Sequence, residues 1–392
     1  MIASFISHHD RAIDNGRSEN MSKTKSVFLA ILACALVSNA GNALPRFAAQ
    51  TGSKCQSCHV NPSGGGMRQV FGAQYGREQL PVPTWSEESE LEDFTTLLTN
   101  FIGVGADFRT LYFARQIPDT GAGGNAKTEN AFWQMQGDLY LNFRVAKKVS
   151  FYLKKGLYSG FEAFGLLNLL PANGHIKIGK FVPNYGTKLD DHTAFIRTYT
   201  GFSPEFGRPE LTGFEVAVSP GQVSATAGLF NATDGFGSSE GNSKALLGRV
   251  EGVFPIQETM FIGGGANVFR RESSTGPTTT YYGGFGSFGI SPFTLFGELD
   301  LLESKQSGSK RTGVVAYAEA NYVVTPGLDL KLAYDFYDPD RDVKSGSMSR
   351  YSVGLEFFPL GGVEVRPMYR ILKEQPTDIK NNEFDLLFHI YL

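Results

Sequence analysis

From about residue 97 to the end, apolar and polar side chains alternate with a period of two. Over residues 131–145, Ala131, Trp133, Met135, Gly137, Leu139, Leu141, Phe143 and Val145 interleave with Gln134, Gln136, Asp138, Tyr140, Asn142 and Arg144. Successive side chains of an extended backbone point to opposite faces, so this segment is a strand with one apolar and one polar face. The device recurs: Leu328, Leu330, Leu332, Tyr334 and Phe336 oppose Asp329, Lys331 and Asp335, and Tyr351, Val353, Leu355 and Phe357 oppose Arg350, Ser352 and Glu356. The chain closes on EFDLLFHIYL, which sets Phe384, Leu386, Phe388, Ile390 and Leu392 on one side.

The connections fall into two kinds. Short ones include 146–148, PANG at 171–174, Pro220-Gly221, Ser291-Pro292, 325–327 and 360–362, longer polar ones include 116–129, 184–209, 232–243, 273–280 and 375–382, and Ser159-Gly160 is expected as a tight connection at the long-loop end. Short and long connections alternating along antiparallel strands are the pattern of a membrane barrel with tight turns at one end and large loops at the other. The expectation is an all-β chain, an outer-membrane β-barrel of about 16 antiparallel strands over residues 96–392, in contact with outer-membrane lipid. A soluble β-sandwich with the same alternation would leave many Phe, Tyr and Leu side chains in water. Past residue 43 no apolar run is long enough for a membrane-spanning helix, which needs about 20 residues. The final amphipathic strand resembles the terminal signal of outer-membrane barrels, with Leu392 in place of the usual Phe.

Residues 1–43 read as an export signal: a basic stretch at 21–25, an apolar run at 27–37, and small residues at Gly41-Asn42-Ala43. The polar residues 1–20 precede a second Met, Met21, and look like an over-extended start. Cleavage after Ala43 removes Cys34 and leaves Cys55 and Cys58; a degenerate lipoprotein site at 31–34 is the alternative. The chain has 46 Gly, 32 Phe and 16 Tyr, charged residues at 19% and a formal net charge of −3. It lacks the basic surplus that phosphate contacts require, so no nucleic-acid partner is expected.

The remaining chemistry lies in KCQSCHVNPSGGGMRQVFG, residues 54–72. Cys55-x-x-Cys58-His59 has the spacing of a c-type haem site, in which two thiols form thioethers and the histidine binds the iron. A structural zinc site needs four ligands and finds three here. A thioredoxin-type pair wants a βαβ context, and a plain disulfide has no use for His59. Residues 44–95 are therefore expected to form a monohaem cytochrome c segment carrying one covalent haem c. For the sixth iron position Met67 is the first candidate, past Gly64-Gly65-Gly66; the alternative is that Met67 only packs. Met368 and His389, on inward polar faces, are the runners-up.

The segment LPRFAAQTGSKCQSCH resembles the front of the outer-membrane monohaem cytochrome–porin fusions of iron-oxidising bacteria, where Pro-x-Phe-Ala-Arg-Gln-Thr-Gly precedes the haem motif. Pro45, Phe47, Ala48, Gln50, Thr51 and Gly52 match, Ala49 replaces the Arg, and NPSGGGM departs from the usual continuation. The resemblance implies outer-membrane electron transfer: electrons from extracellular Fe(II) or another redox donor, passed to a periplasmic c-type cytochrome, by a pure carrier or by an Fe(II) oxidase-type oxidoreductase. Two other classes stay open. A haem-containing diffusion porin would suit the polar-face cations Arg144, Lys177, Lys331, Arg350, Arg366 and Arg370. A periplasmic haem domain anchored by the barrel would suit a linker at Pro81-Val82-Pro83 and the acidic residues 86–90. Asp190, Asp191 and His192 in the long 184–209 connection are a weak candidate for holding a divalent ion transiently, because neighbours on an extended chain point apart.

Overall fold

The computed structural model describes residues 46–86, 95–117, 127–157, 160–203, 209–233, 242–274 and 276–392; the export signal, Cys34 and most of the acidic stretch lie outside them. Sixteen strands follow one another: β1 (Ile102–Ile117), β2 (Lys127–Ala146), β3 (Val149–Gly156), β4 (Phe161–Leu170), β5 (Gly174–Phe181), β6 (Leu211–Val218), β7 (Val223–Asn231), β8 (Lys244–Gln257), β9 (Met260–Arg271), β10 (Thr278–Ile290), β11 (Phe293–Gln306), β12 (Ser309–Thr325), β13 (Leu328–Asp338), β14 (Met348–Phe357), β15 (Val363–Glu374) and β16 (Glu383–Tyr391). Each pairs antiparallel with its sequence neighbours, and β1 pairs with β16 from Asp107–Tyr391 to Arg115–Glu383, so the sheet closes. Closure leaves no strand edge unpaired, as an apolar solvent demands.

The alternation read from the sequence becomes an outside and an inside. Leu332, Val353 and Ile390 face outward and are exposed, whereas Asp329, Lys331, Asp335, Arg350, Glu356, Asp385 and His389 turn into the lumen and are buried. Aromatic pairs mark both margins of the outer face: Tyr112–Phe132 toward the long loops and Phe293–Tyr322 toward the short turns, in the manner of interfacial girdles.

In β2 the expected faces hold for only part of the strand. Gln136 pairs with Arg109 but Gln134 pairs with Thr110, so Met135 is an extra residue. A bulge of this kind inverts the alternation beyond it. Trp133, expected on the outer face, packs inward with Leu111, Met135 and Leu387, and Phe132 turns outward instead.

Residues 46–86 fold into the lumen at the short-turn end, as four short helices: α1 (Arg46–Thr51), α2 (Cys55–Cys58), α3 (Val70–Glu78) and α4 (Pro83–Ser86). The proposed linker is fastened to the wall: the Val82 amide donates to the Phe358 carbonyl (3.0 Å) and Trp85 meets Phe357 edge-on at 5.5 Å. The long connection between β5 and β6 also departs from expectation. Residues 182–203 turn back into the lumen and carry a fifth short helix, α5 (Phe195–Thr198), packed on β11, β12 and β13. Leu189, Phe195 and Ile196 join Phe296 and Tyr317 in one apolar cluster, while Tyr185 stacks on Phe202 at 5.1 Å. Burying these few large apolar side chains favours the inward fold of an otherwise polar connection.

Candidate functional site

The Cys-x-x-Cys-His segment is shaped by its own backbone. After α2, residues 59–68 double back: the Val60 amide donates to Met67 O (3.0 Å), Gln69 N donates to Cys58 O (2.8 Å), and the Gln69 side-chain amide donates to the carbonyls of Gln56 and His59 (2.8 and 2.9 Å). The reversal uses Gly64, Gly65 and Gly66 in succession at φ 85°, 74° and 65°, a region that disfavours residues with a Cβ. A Cβ on Gly66 would stand 2.5 Å from the Tyr152 hydroxyl, and one on Gly72 only 2.2 Å from Cys58 O. The NPSGGGM run thus closes the loop, and Gly72 lets α3 lie against α2.

Between this plug and the inward-folded 182–203 loop lies a cavity enclosing about 1640 Å³ of empty space, its open mouth included. The plug contributes Cys55, Cys58 and His59, the loop Lys188 and His192, and the wall Tyr140 and His389. Both cysteines are free thiols. Burial pushes the Cys55 thiol up to about 12 and raises that of Cys58 as well, so neither is a thiolate at neutral pH.

The His59 ring is held in one tautomer. Burial, with the Arg68 guanidinium nearby, lowers its pKa to about 4, so the ring is neutral. Its Nδ1 lies 3.3 Å from the Gly66 carbonyl, an acceptor only, so Nδ1 carries the proton and Nε2 keeps its lone pair. This is the orientation a metal-binding imidazole adopts when its other nitrogen is anchored to a carbonyl.

Plug and wall are joined by buried charge. Arg46 pairs with Glu356 and lies 3.6 Å from Asp329. Arg68 Nη1 lies 3.2 Å from Asp107 Oδ1, with its guanidinium 4.1 Å from the Tyr391 ring centroid. The inward cations named from the sequence are matched by carboxylates: Lys177 by Glu215 (2.7 Å), Lys331 by Glu319 and Glu356 (both 2.9 Å), Arg350 by Asp335 (2.9 Å), Arg366 by Glu356 (3.2 Å), and Arg370 by Asp385 and Asp191. Arg144, the sixth, is exposed at the short-turn end of β2 instead. Asp191 therefore sits in the lumen rather than in an outer loop, and the guanidinium of Arg370 holds it well below the usual carboxylate range.

Cys55, Cys58 and His59 are brought together at the cavity, but Met67 is not. Its side chain is buried against the wall beside Gly103 and Gly105, in a cluster with Val60, Tyr140 and Tyr152. Of the two roles left open for Met67, the geometry is that of packing. Met368 is likewise buried away from the cavity, against Gly354. His389 lines the cavity with both nitrogens occupied, Nδ1 by Glu364 (2.9 Å) and Nε2 by Asp107 (2.9 Å). Lys188 and Arg109 went unrecognised in the sequence; the aromatic residues of 181–202 were a signal for the inward loop that carries Lys188, and nothing marked Arg109.

No protein-family model matches the chain, and no curated protein does. Solved structures do. The chain is similar to an anion-selective porin from Comamonas acidovorans (13% identity, covering 74% of this chain and 99% of that one, TM-score 0.55). It is also similar to OprB of Pseudomonas putida at high pH (10%, 74% and 94%, 0.55) and to in-vitro folded OmpT of Vibrio cholerae (11%, 76% and 100%, 0.53). At such identities the likeness is one of fold: a closed 16-stranded porin-type barrel. Together with the apolar outer face, that fold places the chain in the outer membrane.

Proposed function

We propose that this chain is an electron conduit of the outer membrane, in which a porin-type barrel holds a single c-type haem in its lumen. The observation that carries the reading is the position of Cys55, Cys58 and His59 on one wall of a lumenal cavity, with His59 Nε2 unprotonated and its Nδ1 anchored on Gly66. The residues fit the group. Cys55 and Cys58 would hold it by thioethers and His59 would bind the iron, while Phe47, Phe71, Tyr75 and Val182 supply apolar lining. When bound, the haem supplies a one-electron couple.

The chain does the rest. The Gly66 carbonyl anchors the ring Nδ1 of His59 and Gln69 holds its backbone carbonyl, the Arg46 and Arg68 ion pairs pin the plug to the wall, and the 182–203 loop closes over the cavity from the long-loop side. A membrane core of roughly 30 Å separates donor from acceptor, and a redox centre part-way along the lumen divides that distance. Extracellular Fe(II) or another small reductant on one side, and a periplasmic c-type cytochrome on the other, are the partners this geometry serves. The resemblance to the cytochrome–porin fusions points the same way.

Diffusion of anions is less well supported. Five of the six cations that the sequence offered to attract them are neutralised by carboxylates within the barrel, the sixth, Arg144, is exposed outside it, and the plug occupies the short-turn end. An anchored periplasmic domain is also less well supported, since 46–86 pack inside the barrel.

The test is reconstitution. Protein made with a c-type maturation system should stain for haem on denaturing gels, and sealed proteoliposomes should pass electrons from external chelated Fe(II) to enclosed oxidised cytochrome. Haem-free protein, or equal transfer by His59→Ala, would sink the proposal.

A further inference from the structure

A c-type iron bound by His59 on one side has a second axial position, and the lining of the cavity limits what can fill it. Among the described residues, nearly every nitrogen or sulfur donor facing the cavity is already engaged. His389 is bonded by carboxylates on both nitrogens. His192 Nε2 accepts from Arg109 Nη1 at 2.7 Å. Lys54 donates to the carbonyls of Gly221 (3.0 Å) and Ser219 (3.5 Å), and Lys154 lies between Asp138 (3.2 Å) and Glu162 (3.6 Å). Met67 and Met368 do not reach the cavity.

The phenols are no better placed. Tyr140 donates to Asp107 (2.8 Å), Tyr152 accepts the Met67 amide (3.3 Å), Tyr391 donates to Gly76 O (3.4 Å), and burial strengthens the hold of Tyr75 on its proton.

Lys188 differs. It lines the same cavity, and no hydrogen bond or ion pair engages its amine among the described residues. Its Cδ lies 3.9 Å from where a Cβ on Gly65 would stand, so the stem runs over the glycine loop that follows His59. The residue is also firmly presented. On one side the Thr187 amide donates to Glu298 (2.5 Å) and Arg249 donates to Gly186 O (2.9 Å); on the other, Leu189 is buried with Phe195, Ile196 and Phe296.

We propose that the amine of Lys188, carried down by the inward-folded loop, is the sixth ligand of the iron, opposite His59. The inference rests on the haem reading above. On ligation the ammonium gives up one proton to water at the open mouth and donates its lone pair to iron; no electron moves. The unwanted alternative for a half-buried cation, an unpaired charge, is removed by the same step. The long loop thereby becomes part of the redox site, and its conformation sets the coordination number.

The experiment uses the full-length, haem-loaded protein in detergent, with haem content fixed by pyridine haemochrome and barrel integrity by the migration of unboiled samples. The wild type should be low-spin in the ferric state by optical and electron paramagnetic resonance spectra. Lys188→Ala should lose that signal, show the high-spin charge-transfer band, and bind external imidazole without first displacing an internal ligand. Lys188→Arg is the second variant: it keeps length and charge, but a guanidinium stays protonated and cannot ligate, so it should behave like Lys188→Ala. His192→Ala should keep the low-spin spectrum. A high-spin wild type, a low-spin Lys188→Ala, or rescue by Lys188→Arg, which would assign the lysine to charge alone, each overturns the inference. Loss of the low-spin signal in His192→Ala reassigns the ligand to His192 and overturns it too. Absence of covalent haem from the wild type overturns the haem reading and this one together, whereas covalent haem with unaltered variants overturns this one only.

Discussion

Arg68, in the plug, reaches across to Asp107 on the first strand, 3.2 Å away, while its guanidinium lies over Tyr391 near the end of the last. Asp107 and Tyr391 are themselves register partners at the β1–β16 junction. One side chain therefore fastens the plug to the place where the barrel closes on itself. Breaking a buried ion pair from one side leaves the partner charge uncompensated and costs about 3–5 kcal/mol. Arg68→Ala is expected to speed hydrogen exchange at the Val60 and Gln69 amides by about a hundredfold or more, since each 1.4 kcal/mol is a factor of ten. The barrel should still resist unfolding in unboiled gels. Unchanged exchange would show that Arg68 does not hold the plug.

Met67 offers a separation of packing from ligation. Its side chain is buried against Gly103 and Gly105 in contact with the wall. Met67→Ala should destabilise the plug by about 2–5 kcal/mol, the range for truncating a buried Met. The optical spectrum and midpoint potential of the loaded protein should stay at the wild-type values; a spectral change would return Met67 to the iron.

Gly66 is constrained twice, by its φ of 65° and by the Tyr152 hydroxyl. Gly66→Ala should cost more than about 1 kcal/mol from backbone strain alone. Adding Tyr152→Phe should recover only the part due to the steric contact, since the φ remains. Full recovery in the double variant, read by thermal release of the plug, would locate the whole effect in the clash.

The titration of His59 sets a pH dependence for haem-free protein, made as Cys55→Ser/Cys58→Ser. Its pKa falls from 6.5 unfolded to about 4 folded, so the unfolded plug takes up the proton first. The stability is fully present above pH 6.5 and is lost as pH falls toward 4. Exchange of plug amides should accelerate across that window, and His59→Gln should flatten the profile. Lys188, lowered from 10.5 to about 7, acts in a separate window between those values, with stability again lost as pH falls.

The barrel was legible because its physics is periodic. In β13, β14 and β16 the inward and outward residues are those the alternation assigns, since a single register runs from end to end. Trp133 was misplaced because one extra residue, Met135, inverts every face beyond it, and nothing in a list of apolar positions marks where pairing slips. The Cys55-x-x-Cys58-His59 spacing was legible in the sequence, and the structure sets all three residues at one cavity. Its surroundings were not: Lys188 and His192 reach the cavity only because the 182–203 loop turns inward, and that depends on Leu189, Phe195 and Ile196 finding Phe296 and Tyr317, a hundred or more residues away. That Met67 packs against the wall was illegible for a related reason, because eight residues of separation from His59 say nothing about which side of a glycine loop a side chain takes.

The Arg68 junction also orders events during assembly. The plug leaves the ribosome before any strand, and β16, whose Tyr391 covers Arg68, is the last segment made. Once β16 has zipped onto β1, sixteen strands surround Cys55 and Cys58, and a catalyst of thioether formation has no lateral approach to them. If Cys55 and Cys58 carry the proposed haem, its attachment therefore belongs to the chain before insertion, because the closed wall shuts off the sideways approach afterwards.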